Sequence, residues 1–148
     1  MTQFFTQLDG NNQVKVEHEG FVITARIMED DDAELSWLGE FANTPAARFA
    51  IPHEPHNHRT FNWFNAENVE NDEQAQENYR RACAYGESWV MQGVVVHVTH
   101  KGVKLATDSL WGIESDSDAE YFVQTANELA ENALALAREK LAELREGA

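Results

Sequence analysis

Apolar and polar positions alternate through residues 13–28. Val14 and Val16, then Phe21, Ile23, Ala25 and Ile27, are separated by polar or smaller neighbours. A period of two belongs to a half-buried strand. Glu19-Gly20 falls where a hairpin turn should be, since glycine takes the positive φ that such turns need. Residues 88–99 contain Gly93-Val94-Val95-Val96-His97-Val98, a β-branched run that is apolar on both faces and therefore belongs inside a sheet. His100-Lys101-Gly102 makes a tight turn, and Val103 to Leu110 returns as the antiparallel partner, giving a second hairpin over 88–111.

Two stretches have helical spacing instead. Over 71–85, Asn71 or Asp72 can cap, Ala75, Tyr79, Ala82 and Cys83 recur every three or four residues, and Gly86 closes. Acids gather at its start (Glu67, Glu70, Asp72, Glu73, Glu77), with Arg80 and Arg81 at its end, which the helix dipole alone explains. Over 116–145, Phe122, Val123, Ala126, Leu129, Ala130, Ala133, Leu134, Leu136, Ala137, Leu141 and Leu144 fill one side at about 100° per residue. Asp116, Glu120, Glu128, Glu131, Glu139, Glu143 and Glu146 fill the other. Ser115 with Asp118 and Ser117 with Glu120 are both Ser-x-x-acid capping patterns. Just before them, Trp111 and Ile113 are expected to anchor a strand end in the core, with Gly112 at the corner. Trp37, Leu38, Phe41, Phe49, Ile51, Phe61, Trp63 and Phe64 are scattered among Pro45, Pro52 and Pro55, so 35–65 reads as an irregular aromatic segment packed over the sheet. The expected fold is α+β: a mostly antiparallel sheet of two hairpins, a middle helix and a long C-terminal helix, in one domain over 1–148.

Charge changes the picture. The chain has 148 residues, 26 acids against 11 bases and a formal charge of −15. Such a chain repels phosphate, so direct nucleic-acid binding is not expected without a metal or a local basic patch. Solubility or a salty host explains acidity as such. The single cysteine, Cys83, cannot form an intrachain disulfide, which fits a reducing cytosol. Met1 to Gly10 lacks the basic-then-apolar pattern of a secretory signal, and no apolar run approaches the ~18 residues of a membrane span.

Candidate chemistry is sparse. There is no Walker loop, dinucleotide-binding glycine motif, Cys-x-x-Cys or evident Ser/His/Asp arrangement. His53, Glu54, His56 and His58 invite a metal hypothesis, since imidazole suits zinc, copper and nickel. Pro52 and Pro55 forbid the helix on which catalytic zinc histidines usually sit, and no second ligand cluster pairs with them. No metal or cofactor is expected. The alternative is a small metal-dependent hydrolase built on this cluster, with His97 and His100 able to approach. Asp30, Asp31 and Asp32, within a run from Glu29, must be solvated, and without alternating ligand spacing they do not read as a calcium loop.

Tyr79-Arg80-Arg81-Ala82, Trp89, Gly93-Val94-Val95-Val96, the block Ser109-Leu110-Trp111-Gly112-Ile113-Glu114-Ser115-Asp116-Ser117-Asp118 and Tyr121 resemble a group of small, mostly uncharacterised proteins of bacteriophages and other mobile elements. The resemblance covers residues 77–130. It implies a phage or prophage gene acting in the cytoplasm of a bacterial host, and it transfers no catalytic residue. With the charge, it leads to the expectation of a non-enzymatic acidic protein that blocks a host nucleic-acid-handling defence system, of anti-CRISPR or anti-restriction type, by imitating DNA's charge. The expected contact residues are Glu120, Glu128, Glu131, Glu139, Glu143, Asp30, Asp31 and Asp32, meeting a basic nucleic-acid-binding protein or complex. A homodimer built on the alanine-rich helix is the plainer alternative.

Overall fold

A computed structural model describes residues 3–10, 12–53 and 61–147. Its elements are β1 (Val14–His18), β2 (Phe21–Glu29), β3 (Gly39–Ala42), β4 (Ala50–Pro52), β5 (Trp63–Ala66), α1 (Asp72–Ala84), β6 (Met91–His100), β7 (Val103–Glu114) and α2 (Ala119–Glu146). The fold is α+β with antiparallel sheets, a middle helix and a long C-terminal helix. The chain divides into two compact units. Met1–Asp31 joins Val90–Ala148, and Asp32–Trp89 forms the other. The division has a plain topological cause: the second unit is inserted between β2 and β6, which are hydrogen-bonded neighbours.

The first unit is a four-stranded sheet in the order β1-β2-β6-β7 with α2 against it. Both hairpins form as expected. Glu19 and Gly20 have φ of 51° and 86°, and Lys101 and Gly102 of 49° and 79°, so both turns use left-handed conformations that suit the twist of antiparallel strands. Side chains that alternate to one face meet α2. Ile23, Val94, Val96 and Val98 are fully buried against Phe122, Ala126, Ala130, Leu134 and Ala137. The alanines let the helix backbone lie close to the sheet.

Three details depart from the expected core. Ile113 is buried at 4% exposure, whereas Trp111 is 43% exposed. Between the pairs Gln92–Ile113 and Val94–Leu110 the register shifts, so Gly93 is opposed by both Trp111 and Gly112. This bulge sends Ile113 inward and Trp111 to the opposite face. Leu136 and Leu144 are each 51% exposed: Leu136 lies at the edge of the apolar arc, and α2 has no buried residue after Ala137 to accompany Leu144. The helix also begins at Ala119 rather than 116, and Asp118 makes no side-chain cap bond. Ser115 is spent elsewhere: its Oγ accepts from the Val90 amide at 2.9 Å, and its own amide donates to the Val90 carbonyl at 2.8 Å.

The second unit corrects the reading of 35–65 as irregular. It holds a three-stranded sheet, β3-β5-β4, that α1 contacts. Phe41 pairs with Phe64 and Ile51 with Phe64, so one apolar row crosses the three strands. Phe64 is fully buried and lies where a side chain on Gly39 would have to go. On α1, Asn71 accepts from the Gln74 amide at 2.9 Å, as its position at the helix start foretold. Buried Trp89 donates its indole N–H to the Arg81 carbonyl at 2.8 Å, and the Arg81 guanidinium sits 3.8 Å from the ring centroid.

Candidate functional site

The first unit presents two surfaces, one formed by α2 and one by the side of its sheet opposite α2. The α2 surface begins with Asn127. This buried amide accepts from the Phe4 and Phe5 backbone N–H groups at 2.8 Å each and donates to the Phe5 carbonyl at 3.0 Å. It ties the N-terminal segment to the helix and fixes the helix rotation that points the acids outward. At about 100° per residue, Glu120, Glu128, Glu131 and Glu139 fall within roughly a 100° sector, and Glu143 lies about 40° further round. Glu120, Glu128, Glu139 and Glu143 are exposed, and Glu131 is half-buried. Glu128 also accepts a long hydrogen bond of 3.3 Å from Gln124. Arg138 would interrupt the acidic sector, but its guanidinium reaches the Glu19 carboxylate in the β1–β2 turn at 2.5 Å. The sector therefore keeps its negative sign.

The other expected acids follow the end of β2. Asp31 and Asp32 are exposed and Asp30 is half-buried, its amide bonded to the Met91 carbonyl at 2.8 Å. Asp30 and Asp31 belong to the first unit and Asp32 to the second.

Of the histidine cluster, Glu54, His56 and His58 lie outside the described residues. His53 has its Nδ1 2.8 Å from the Tyr79 hydroxyl, with its ring centroid 4.9 Å from that of Phe41. Among the described residues no group of three or more His, Cys, Asp or Glu could hold a metal. His100, in the first unit, packs on Phe21 at 5.3 Å between centroids.

His97 marks the side of the sheet opposite α2. Antiparallel partners share a face, so the register assembles rows across the strands. One row is Lys15, Thr24, His97 and Thr107. A second is Glu17, Val22, Thr99 and Lys104, and a third is Arg26, Val95 and Ser109. His97 Nδ1 lies 2.9 Å from the Thr107 hydroxyl. Burial, with the nearby Lys104 ammonium adding to it, lowers the His97 pKa from the usual histidine range and favours the neutral ring. Beyond these rows the Trp111 indole rests on Gly93, filling the space a Cβ there would need. Lys15, Arg26 and Lys104 are exposed and, among the described residues, form no ion pair.

No protein-family model matches the chain, and neither a curated protein nor a solved structure shows significant similarity to it. No helix among the described residues is long and apolar enough to cross a membrane.

Asn127 and the cationic rows were not singled out from the sequence. Asn127 did leave a signal, as an amide at the edge of the apolar arc of α2. The rows left none, because their members are separated by up to 92 positions, from Lys15 to Thr107.

Proposed function

We propose that this protein acts by binding, and that the outer side of α2 engages a basic, nucleic-acid-handling partner, in the manner expected of a phage-encoded inhibitor of a bacterial host's defence system. The observation that carries the reading is the acidic sector itself, exposed at Glu120, Glu128, Glu139 and Glu143, with Arg138 drawn away to Glu19. Folding requires a polar face there, but it does not require one sign. Glu139 and Glu143 stand four residues apart, a spacing at which like charges cost a few tenths of a kcal/mol.

The charge density limits the kind of contact. From Glu120 to Glu143 the helix runs roughly 35 Å, with one carboxylate per about 7 Å. One DNA strand carries a phosphate about every 3.4 Å along the helix axis. Such a surface suits a short stretch of a basic channel and is too dilute to stand in for a duplex. Binding of this kind displaces counterions and weakens with salt.

The test starts from capture of the partner on immobilised protein from a bacterial host lysate. Glu128→Lys, Glu139→Lys and Glu143→Lys together should leave the circular dichroism spectrum unchanged and weaken the captured complex at least about tenfold. Wild-type affinity should also fall as salt is added. A triple variant that binds as tightly as wild type removes α2 from the interface, and Asp30 to Asp32 become the next residues to reverse.

A further inference from the structure

The side of the four-stranded sheet opposite α2 has the sign opposite to that of the chain. Lys15 on β1, Arg26 on β2 and Lys104 on β7 all face it. Between them lie the hydroxyls of Thr24, Thr99, Thr107 and Ser109 and the His97 ring. Glu17, at the β1 edge, is the one acid in the three rows, and Glu114 pairs with Met91 beyond the Trp111 bulge. A chain of formal charge −15 would be expected to surround any exposed lysine with acids. Here three cations from three strands stand without ion-pair partners among the described residues, on one side of one sheet. This is the local basic patch without which nucleic acid was excluded.

We propose that this open sheet face docks a single-stranded nucleic acid, with Lys15, Arg26 and Lys104 meeting its phosphates and the exposed indole of Trp111 stacking on a base. Four strands at about 4.8 Å spacing give a platform roughly 14 Å across. An extended phosphodiester strand can cross it and meet cations at both edges. Trp111 supplies what a charge patch alone lacks. One side of its indole is held against Gly93, and the side chain as a whole remains 43% exposed. Any base can stack on such a ring, so the surface needs no particular sequence. The exposed Thr107 and Ser109 hydroxyls and the His97 imidazole offer hydrogen bonds to sugar and base edges. An acidic polypeptide could satisfy the cations but would leave Trp111 without a planar partner. The acids of α2 do not veto the contact. They face away behind a helix about 10 Å thick, and charges separated by more than a Debye length of about 8 Å are largely screened at physiological salt.

The experiment is fluorescence anisotropy of labelled oligo(dT) and oligo(U), titrated with the intact protein at low and then rising salt. This face is separate from the α2 surface, so Glu128→Lys, Glu139→Lys and Glu143→Lys should not reduce the affinity. Saturable binding should appear, with a salt slope near −2, the value for about three phosphate contacts at about −0.7 each. Either oligonucleotide suffices, and a preference between them tells whether the sugar hydroxyl is read. Arg26→Glu with Lys104→Glu should abolish binding, Trp111→Ala should weaken it at least about fivefold, and Trp111→Phe should keep most of it. Circular dichroism of each variant separates loss of fold from loss of contact. Absence of binding at low salt overturns the proposal. So does binding that survives the double charge reversal. Binding that polyglutamate displaces and that Trp111→Ala leaves untouched also overturns it, because the face would then take an acidic protein chain.

Discussion

The two sides of the four-stranded sheet are made by the same strands and obey different rules. On the α2 side, Ile23, Val94, Val96 and Val98 meet alanines and leucines with no exposed surface. On the other, Thr24, His97 and Thr107 meet one another, with lysine and arginine around them. Burial fixes the first side, where a change of one methylene is felt as lost packing. The second is fixed less tightly: Thr24 and Val95 at its centre are 8% exposed, but the side chains around them need only tolerate water and the strand conformation. Where a surface is free to vary and yet collects one sign of charge against the trend of its chain, binding is the economical explanation. The division also says where substitutions should hurt stability and where they should hurt contacts.

The sharpest contrast is between two neighbours on β7. Ile113 faces α2 at 4% exposure and Trp111 faces the other way at 43%. Ile113→Ala should cost about 2–5 kcal/mol, the range for a buried isoleucine cut back to alanine. Trp111→Ala, despite removing a larger side chain, should cost on the order of 1 kcal/mol. Urea denaturation of the two variants ranks them directly. A greater loss for Trp111 would mean that the bulge does not partition the strand as described, and that the open face is part of the core.

A smaller effect tests how the covered side is finished. Asn127 satisfies the Phe4 and Phe5 amides and the Phe5 carbonyl from within α2. Asn127→Leu keeps the bulk and leaves those groups without their partner. The expected loss is about 1–3 kcal/mol, the cost of stranding buried polar groups. Amide hydrogen exchange at Phe4 and Phe5 should accelerate more than at Val96. Equal acceleration at all three would make the defect global and the tie unimportant.

The same division explains what could be read in the chain. The α2 apolar arc and the β6 valine run repeat often enough to declare themselves, so both hairpins and both helices were legible. Their edges were less so. Ser115 offered a helix cap by pattern, yet its hydroxyl closes the start of β6, a partner 25 positions away that no local pattern reveals. Strands β3, β4 and β5 have 4, 3 and 4 residues, too few to show alternation among prolines and aromatics. Trp111 was misplaced because a bulge changes which face a residue takes, and Gly112 hinted at a corner without giving its sense. The acids of α2 were legible as a sector, being on one helix. The cations of the open face were not, because only strand register brings Lys15, Arg26 and Lys104 together.

The mildest effect concerns the centre of that open face. His97 is held toward its neutral form, first by burial and then by the Lys104 ammonium. In the unfolded chain it should titrate near the usual value of about 6.5. Below that pH the unfolded state takes up a proton that the folded state resists, so acid favours unfolding. The contribution of His97 is therefore present above about pH 6.5 and is lost as pH falls through the lower folded value. His97→Gln should flatten this part of the stability–pH curve while leaving the neutral-pH urea midpoint nearly unchanged. A Lys104→Met variant separates the two causes. Followed by NMR, the His97 imidazole should titrate closer to the ordinary range once the ammonium is gone, but not fully within it, because burial is the larger cause. Full recovery in that variant would assign the shift to charge alone, and His97 would then sit on a surface as wet as its neighbours, with no difference left between the centre of the open face and its rim.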